Sequence, residues 1–351
     1  MKGLNGLRAS SLLIFAVLIT APACGRTNPT AHASPAVSAS PASPSPTPQA
    51  LATAPGCPSG KLVTTESELG LALSTATPGA VIVMAAGTYG GQFVAQASGT
   101  QDAPISLCGT RAAVIDGGDT TAGYALYLSG ASWWRLVGFT VEGAQKGVVV
   151  DHGTHDLISG LYVHDVGDEA IHLRSFSTDN TVDGNVIRRT GLLKPKFGEG
   201  IYVGSANSNW CKYTACNPDA SDRNIISNND ISQTMAENID IKEGTTGGSI
   251  IANHLSGLGM DPTGASAWVN VKGNGWTVSG NVGQTSVNDG FQVHEVYAGW
   301  GLNNVFHQNQ AVVNGPGYGF YSQHHSLGTV VTCDNTASGA AKGLSNISCT
   351  P

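Results

Sequence analysis

Short stretches in which apolar and polar residues alternate recur along the chain between residues 138 and 323. One set begins at residues 138, 160, 184, 228, 252, 280 and 308, and a second set falls between them, at residues 148–151, 171–174, 201–204, 239–242, 269–272, 291–294 and 320–323. Alternation with a period of two predicts β-strands with one buried face. The starts of the first set are 22 to 28 residues apart, except for one interval of 44, which predicts two coils and an insertion at residues 205–222.

Strand–turn–strand units of about 24 residues, without a helical pattern between them, predict an all-β parallel β-helix of about ten coils. Gly, Asn, Asp, Ser and Thr lie between the stretches and form the turns. One repeat position is always Asn, at Asn185, Asn229, Asn253, Asn281 and Asn309. Stacked coils would join these side chains in an amide ladder along the axis.

This pattern resembles the right-handed parallel β-helix, pectate-lyase-like superfamily over residues 81–323. The resemblance implies the fold but no single chemistry, because lyases, hydrolases, epimerases and binding proteins share it. The composition agrees, since only 12% of the residues are charged and 46 of 351 are Gly, which suits turn-rich β architecture. A formal net charge of −7 argues against a general nucleic-acid binder.

The first residues have the character of an export signal. Lys2 and Arg8 precede a short apolar stretch, residues 11–19, and small residues then lead to Cys24. This arrangement resembles a bacterial lipoprotein cleavage site and predicts a signal peptide over residues 1–23 and lipidation of Cys24. Ordinary cleavage nearby is the alternative, and either one predicts export.

A Pro-, Ser- and Ala-rich segment, residues 24–56, follows as an extended tether, and residues 57–351 form the β-helix domain. We therefore expect a protein on the extracellular side of the bacterial membrane, lipid-anchored or secreted, that meets the membrane only through its anchor. Six cysteines remain, and an exported setting favours disulfides. Six cysteines allow fifteen connectivities, and proximity alone suggests the pairs Cys57–Cys108, Cys211–Cys216 and Cys333–Cys349.

Stacking the second set of stretches turns each strand position into a column, with about 4.8 Å between coils. The position before each strand holds Lys146, Glu169, Glu199, Glu237, Ala267 and Asp289. The central outward position holds Val149, His172, Tyr202, Asp240, Asn270, Gln292 and Tyr321, and the next outward position holds Asp151, Arg174, Gly204, Lys242, Lys272, His294 and Gln323. An acidic column beside a basic one, in a chain with few charges, predicts the functional face.

Glu199, Glu237 and Asp240 are candidate metal ligands. Stacked carboxylates repel one another unless they bind a cation, share a proton or pair with basic residues such as Arg174 and Lys242. Ca²⁺ takes six to eight oxygen ligands, and we expect it here, with the other two arrangements left open.

Lys242 and Lys272 also stack, and two neighbouring ammonium groups lower each other's pKa. Lys242 is therefore the predicted base and Lys272 the predicted partner of a substrate carboxylate, with two solvent-exposed lysines as the alternative. Tyr202, which points outward by alternation, is predicted to stack on a sugar or donate a proton. His172 is a second candidate acid. The predicted substrate-binding residues are Arg174, Asn270, Gln292, His294 and Trp210.

The segment from Glu237 to Lys242 resembles one strand of the family 6 polysaccharide lyases, the alginate lyase and chondroitinase B group. That resemblance implies Glu237 as a calcium ligand and Lys242 as the Brønsted base. The chain departs from the family at Met235, where a second acid is expected, and no family Arg is apparent, so Lys272 or His294 would have to replace it.

These observations favour a monomeric, exported polysaccharide lyase that cleaves an acidic uronate polysaccharide by β-elimination. A C5 epimerase would use the same first step. A glycoside hydrolase, which needs two carboxylates, and a non-catalytic glycan-binding surface lipoprotein are the alternatives.

Overall fold

Three parallel sheets wind together in the computed structural model, which describes residues 57–351. The chain forms the expected parallel β-helix of about ten coils. Its strands extend from Lys61 to Ala340, beyond the span of the resemblance. The predicted signal peptide, Cys24 and the tether lie outside the described residues.

The first sheet has eleven strands, one in each coil. They are Lys61–Val63, Val81–Met84, Ile105–Cys108, Trp134–Val137, Leu157–Ser159, Thr181–Asp183, Ile225–Ser227, Ser249–Ile251, Thr277–Ser279, Val305–His307 and Val330–Val331. The alternation in the sequence predicts two strands per coil and does not reveal this third one. Most of these strands are three residues long with one fully buried residue, as at Ile158 and Val182, so alternation is too brief to be recognised.

The other two sheets contain the two predicted sets of strands. The second sheet has Gly87–Gly90, Tyr162–His164, Val186–Arg188, Asp230–Ile231, His254–Ser256, Val282–Gln284, Gln310–Gly315 and Thr336–Ala340. The third has Phe93–Ala95, Ile171–Arg174, Ile201–Val203, Ile239–Ile241, Val269–Val271, Phe291–Val293 and Phe320–Ser322. Two long strands, Ala113–Ser129 and Thr140–Asp151, run through both sheets.

The register of the third sheet confirms the predicted columns. The central column pairs in the order Val149, His172, Tyr202, Asp240, Asn270, Gln292 and Tyr321. On either side of each central residue, apolar neighbours such as Ile239 and Ile241 point inward and are fully buried. The central column therefore lies on the outer face of the sheet.

The asparagine ladder forms as predicted. The side-chain amide of Asn229 donates to Oδ1 of Asn253 at 2.9 Å, and the same bond joins each successive pair along the ladder. Asn335 adds one further rung. Each of these amides also donates to a backbone carbonyl, so the buried column satisfies its own hydrogen bonds.

A helix that the sequence analysis did not predict, Glu66–Ser74, precedes the second strand and buries Leu69 and Leu73. The Thr65 side chain accepts from the Glu68 backbone N–H, and the Glu68 carboxylate accepts from Thr64, so the Thr-x-x-Glu spacing was the available signal. The remaining helices are short: Pro195–Phe197, Asn207–Asn209, Trp210–Tyr213 and His325–Leu327. No helix among residues 57–351 is long and apolar enough to cross a membrane.

The three disulfides join the pairs that proximity suggested: Cys57–Cys108, Cys211–Cys216 and Cys333–Cys349. The second lies inside the insertion at residues 205–222, which follows the strand Ile201–Val203. The insertion therefore leaves the coil directly beside the outer face of the third sheet.

Candidate active site

A groove on the outer face of the third sheet contains two adjoining cavities. The central cavity, of about 410 Å³, is lined by Glu199, Tyr202, Glu237, Asp240, Lys242 and Lys272. The distal cavity, of about 290 Å³, is lined by Tyr124, Lys146, Asp168, Lys194, Lys212 and Tyr213. Phe197, Tyr202 and Asn209 line both cavities, so Tyr202 lies where the two meet.

Asp240 lies between the two predicted functional lysines. Its Oδ1 accepts from Lys272 Nζ and its Oδ2 lies 3.2 Å from Lys242 Nζ, while its side chain is only 2% exposed. Burial alone would lower the pKa of Lys242, but the Asp240 carboxylate raises that pKa well above its usual value. The prediction that the lysine pair lowers the pKa of Lys242 is therefore wrong, because it ignored the anion between them.

Glu199 and Glu237 line the same cavity as Asp240, Lys242 and Lys272, and both glutamates are buried. Burial raises the pKa of Glu199 well above its usual value, and the charges of Glu169 and Asp240 add to the effect. Burial and Asp240 also raise the pKa of Glu237. Glu199 Oε2 is fully enclosed and has no hydrogen-bond partner within the described residues. The two glutamates therefore favour the protonated state, whereas the two lysines hold the pKa of Asp240 below its usual value despite burial.

The three acids form the kind of cluster that could hold a metal ion, because ligand oxygens of Glu199, Glu237 and Asp240 lie within 4.8 Å of one another. Calcium requires six to eight oxygens. Both oxygens of Asp240 already contact ammonium groups, so a divalent cation would lie beside two positive charges. The residues fit a shared proton and paired lysines better than they fit Ca²⁺.

Tyr202 is held between two neighbours. Lys242 Nζ lies 5.1 Å from the centre of the Tyr202 ring, and the His172 ring meets it edge-on with 4.5 Å between centroids. Burial raises the pKa of Tyr202 well above its usual value, and the charge of Lys242 partly opposes this. The phenol is therefore the resting form.

His172 does not suit the predicted role of an acid. Burial lowers its pKa well below the usual value, so the imidazole is neutral. Its Nε2 lies 2.9 Å from the carbonyl oxygen of Gly204 and must donate to it, which leaves the lone pair on the fully enclosed Nδ1. His172 is better described as a positioning residue for Tyr202.

Two predicted substrate-binding residues have structural contacts instead. Arg174 pairs with Asp151 through Nε and Nη2 and is 3% exposed, so it lies at the floor of the distal cavity with its charge already paired. Trp210 is buried in the insertion, donates to the carbonyl of Ser205 and packs edge-on against Tyr297. Neither side chain is free to bind a sugar as predicted.

The other three predicted substrate-binding residues, Asn270, Gln292 and His294, lie further along the groove. Asn270 bridges the Glu237 carboxyl and His294 Nδ1, at 3.2 and 2.9 Å. Burial lowers the pKa of His294 to about 4, and the charge of Lys272 contributes. Gln292 and His294 line a third cavity, of about 330 Å³, but Gln292 directs its amide to Ser266 and Asp289. Only His294 of this group remains partly exposed.

Sequence reasoning missed the residues that loops bring to the groove. Lys194, Lys196 and Phe197 come from the loop before one strand, and Lys212 comes from the insertion. Both lysines of the first loop pack near the Phe197 ring, at 6.0 and 4.9 Å. The basic and aromatic run directly before Glu199 was a usable signal, but the repeat pattern covers strands and not loops.

No protein-family model and no curated protein match the chain. Among solved structures, an alginate lyase from Paenibacillus sp. str. FPU-7 is 35% identical, with a TM-score of 0.72, over 82% of this chain and 96% of that one. The chain belongs to the family of this alginate lyase. Two further solved structures share the fold of this chain. A pectate lyase is 16% identical, with a TM-score of 0.55, over 84% of this chain and 80% of that one. A rhamnogalacturonan lyase is 14% identical, with a TM-score of 0.53, over 74% of this chain and 75% of that one.

Proposed function

We propose that this lyase cleaves a uronate polysaccharide by β-elimination, with alginate as the first substrate to test. One observation supports the chemistry above all others: Tyr202 lies at the junction of two cavities with the Lys242 ammonium against its ring. The 35% identical alginate lyase supports the choice of substrate.

The reaction requires the substrate carboxylate to be neutralised first. Removal of the C5 proton leaves negative charge next to that carboxylate, so cations there lower the barrier. We assign neutralisation to Lys272 and Lys242, whose ammonium groups Asp240 holds side by side in the central cavity. This assignment uses no metal ion. The protonated Glu199 adds no negative charge to oppose the substrate.

Tyr202 is the proposed base and Lys242 the proposed acid. The phenolate of Tyr202 takes the C5 proton, and the electrons of the C5–H bond form the C4=C5 double bond. The C4–O bond breaks, and the departing oxygen takes a proton from Lys242. This reverses the role first predicted for Lys242, because Asp240 keeps its ammonium protonated and the positive charge next to Tyr202 favours the phenolate.

Product analysis tests the proposal. The protein, incubated with alginate and with other uronate polymers, is expected to release chains with an unsaturated end. New reducing ends without unsaturation would support a glycoside hydrolase, and a changed ratio of C5 epimers without cleavage would support an epimerase. No change in any polymer would favour a non-catalytic glycan-binding protein.

The proposed roles also predict the pH dependence of kcat/KM. Because burial raises the pKa of Tyr202, the phenolate fraction and the rate are expected to rise through the alkaline range. The raised pKa of Lys242 keeps the acid protonated there. A rate that is constant or falls above neutral pH would contradict this pair of roles.

We also propose that the protein is exported and anchored through a lipid on Cys24, as a monomer. The apolar stretch and the small residues before Cys24 support this proposal. Cys24→Ser is expected to release the β-helix domain into the medium of the expressing cells. Retention of that variant in the membrane fraction would contradict the anchor.

A further inference from the structure

Two loops bring positive charge to the distal cavity. Lys194 reaches it from the loop before the strand Ile201–Val203, and Lys212 reaches it from the insertion after that strand. Lys146 also lines the cavity but pairs with Glu169. Lys194 and Lys212 are both exposed, in a protein whose formal net charge is −7.

The acids of this cavity offset little of that charge. Asp168 is 3% exposed and its Oδ2 accepts from Gln145 at 2.7 Å. Lys194 Nζ lies 3.9 Å from Asp168, which is the limit of an ion pair. Burial and the neighbouring Glu169 raise the pKa of Asp168. Lys212 Nζ lies 4.7 Å from the centre of the Tyr213 ring and so retains its charge for another partner.

Aromatic rings form the sides of the cavity. The Arg174 guanidinium lies between the rings of Tyr124 and Tyr213, at 5.3 and 4.3 Å from their centres, and Nη2 donates to the Tyr124 hydroxyl. Asp151 fixes the guanidinium from below. Both rings are therefore positioned before any ligand binds, as in sites that stack on sugars.

The insertion that carries Lys212 is firmly attached to the coils. Asp219, fully buried, accepts from the backbone N–H groups of Ser175 and Phe176 and from the hydroxyls of Ser205 and Ser221. The Glu243 carboxylate accepts from the Asn207 N–H. The Cys211–Cys216 disulfide encloses Lys212 and Tyr213. Lys212 therefore projects from a fixed wall.

We propose that the distal cavity is a second uronate-binding subsite, in which Lys212 and Lys194 bind the carboxylate of a sugar next to the one at Tyr202. The proposal rests on the proposed function for the chemistry of its ligand. The subsite adjoins the catalytic centre through Tyr202 and Phe197, so one polymer chain occupies both cavities. Lys212 and Lys194 thereby make the enzyme select chains with consecutive uronates.

Binding of the uncleaved polymer provides the test. In a Tyr202→Phe background, which is expected to slow turnover strongly, calorimetry measures the affinity for polyuronate at low salt. Lys212→Met and Lys194→Met are each expected to weaken binding about fivefold, the scale of one partly exposed ion pair. The loss is expected to shrink at high salt, because screening weakens such pairs. Lys61→Met, which removes the same charge from the exposed first strand, is the matched control and is expected to bind like the parent.

A polymer whose carboxylates have been reduced to hydroxymethyl groups separates charge from shape. It is expected to bind equally to the parent, Lys212→Met and Lys61→Met proteins. With Tyr202 intact, Lys212→Met is expected to raise KM for polyuronate and leave kcat nearly unchanged.

The subsite and the lyase activity can fail separately. If binding of Lys212→Met and Lys194→Met equals that of Lys61→Met, or if no acidic polymer binds, the subsite proposal is overturned whatever the activity. If both variants weaken binding but the parent cleaves no uronate polymer, the subsite stands and the proposed lyase function fails.

Discussion

Two buried polar columns run along this solenoid, and they use the coil repeat in opposite ways. In the asparagine ladder every coil presents the same side chain, so each amide finds its partner in the next. In the central column of the third sheet the residue changes with each coil, from His172 to Tyr202 to Asp240. Repetition produces a neutral, satisfied column, whereas variation brings unlike groups together and produces a site.

The two columns also differ in how well their buried polar groups are hydrogen-bonded. The asparagines of the ladder direct their amides to one another and to backbone carbonyls. In and beside the central column of the third sheet, Glu199 Oε2 and His172 Nδ1 are enclosed and have no hydrogen-bond partner among residues 57–351. Unpartnered buried atoms destabilise a fold and are retained where chemistry requires them. The ladder therefore supports stability, and the groove supports reactivity at some expense of stability.

The largest expected effect comes from a variant that removes one oxygen atom from the central column of the third sheet. Tyr202→Phe removes the proposed base and is expected to lower kcat by about 10²–10⁴-fold, the range of general base catalysis. The ring and its contacts with His172 and Lys242 remain, so the melting temperature should stay within a few degrees of the parent's. Unsaturated-product formation and thermal melting measure the two effects. Retention of most of the activity would move the base to another residue.

An interruption of the ladder should affect stability and not chemistry. Asn281→Ala leaves the Asn253 backbone N–H and the Ile250 carbonyl without the Asn281 side chain as partner. It also removes one bond from the Asn253 side-chain amide and one of the two donors to Asn309 Oδ1. We expect a loss of about 2–4 kcal/mol in the free energy of unfolding, from several unsatisfied groups. Denaturant unfolding measures it. Gln284→Ala, at an exposed position in the same coil, is the control and should change stability by less than about 0.5 kcal/mol. Equal stability of the two variants would contradict a stabilising ladder.

A smaller effect tests the protonated state of Glu199. A carboxyl whose folded pKa is raised stabilises the fold below its unfolded pKa, and that stability is lost as the pH rises toward the folded value. Glu199→Gln keeps the shape without this loss, so at pH 8 it should be more stable than the parent by about 1 kcal/mol or more. The difference should vanish near pH 4. Thermal melting across this range measures it, with Glu66→Gln as the control for the loss of one negative charge. A variant less stable than the parent at pH 8 would indicate an ionised, partnered Glu199.

The smallest expected effect is that of a chelator. Because Asp240 is paired with Lys242 and Lys272, removal of divalent cations should change neither the melting temperature nor the rate. Melting and turnover with EDTA, and then with added calcium, measure this. A loss of stability with EDTA that calcium restores would return Glu199, Glu237 and Asp240 to the role of calcium ligands.

Much of the fold could be predicted because a solenoid repeats local information. The period of two identified two of the three sheets, the spacing of 22 to 28 residues identified the coils, and recurring Asn identified the ladder. Each of these features requires only the position of a residue within its own coil. The first sheet was not predicted because most of its strands are three residues long with one fully buried residue. The helix Glu66–Ser74 was not predicted because it lies outside the repeat.

The candidate site was predicted only in part. The columns correctly placed Tyr202, Asp240, Lys242 and Lys272 on one face. Their environment was not predicted: Lys242, predicted to point outward beside Lys272, has a side chain only 13% exposed and paired with Asp240. Alternation shows which way a side chain points but not what covers it.

The sequence by itself thus determined the coil, the register and the residues that share a face, because these depend on a repeat with a fixed period. Only the tertiary structure decided which loops enclose that face and which groups carry protons. The insertion and the loop of Phe197 follow no repeat, and they bring Lys212 and Lys194 to the same cavity. Protonation depends on burial and on nearby charges: Lys242 and Lys272 hold the pKa of the buried Asp240 below its usual value. Lys272 belongs to the next coil, so its distance to Asp240 exists only once the coils are stacked.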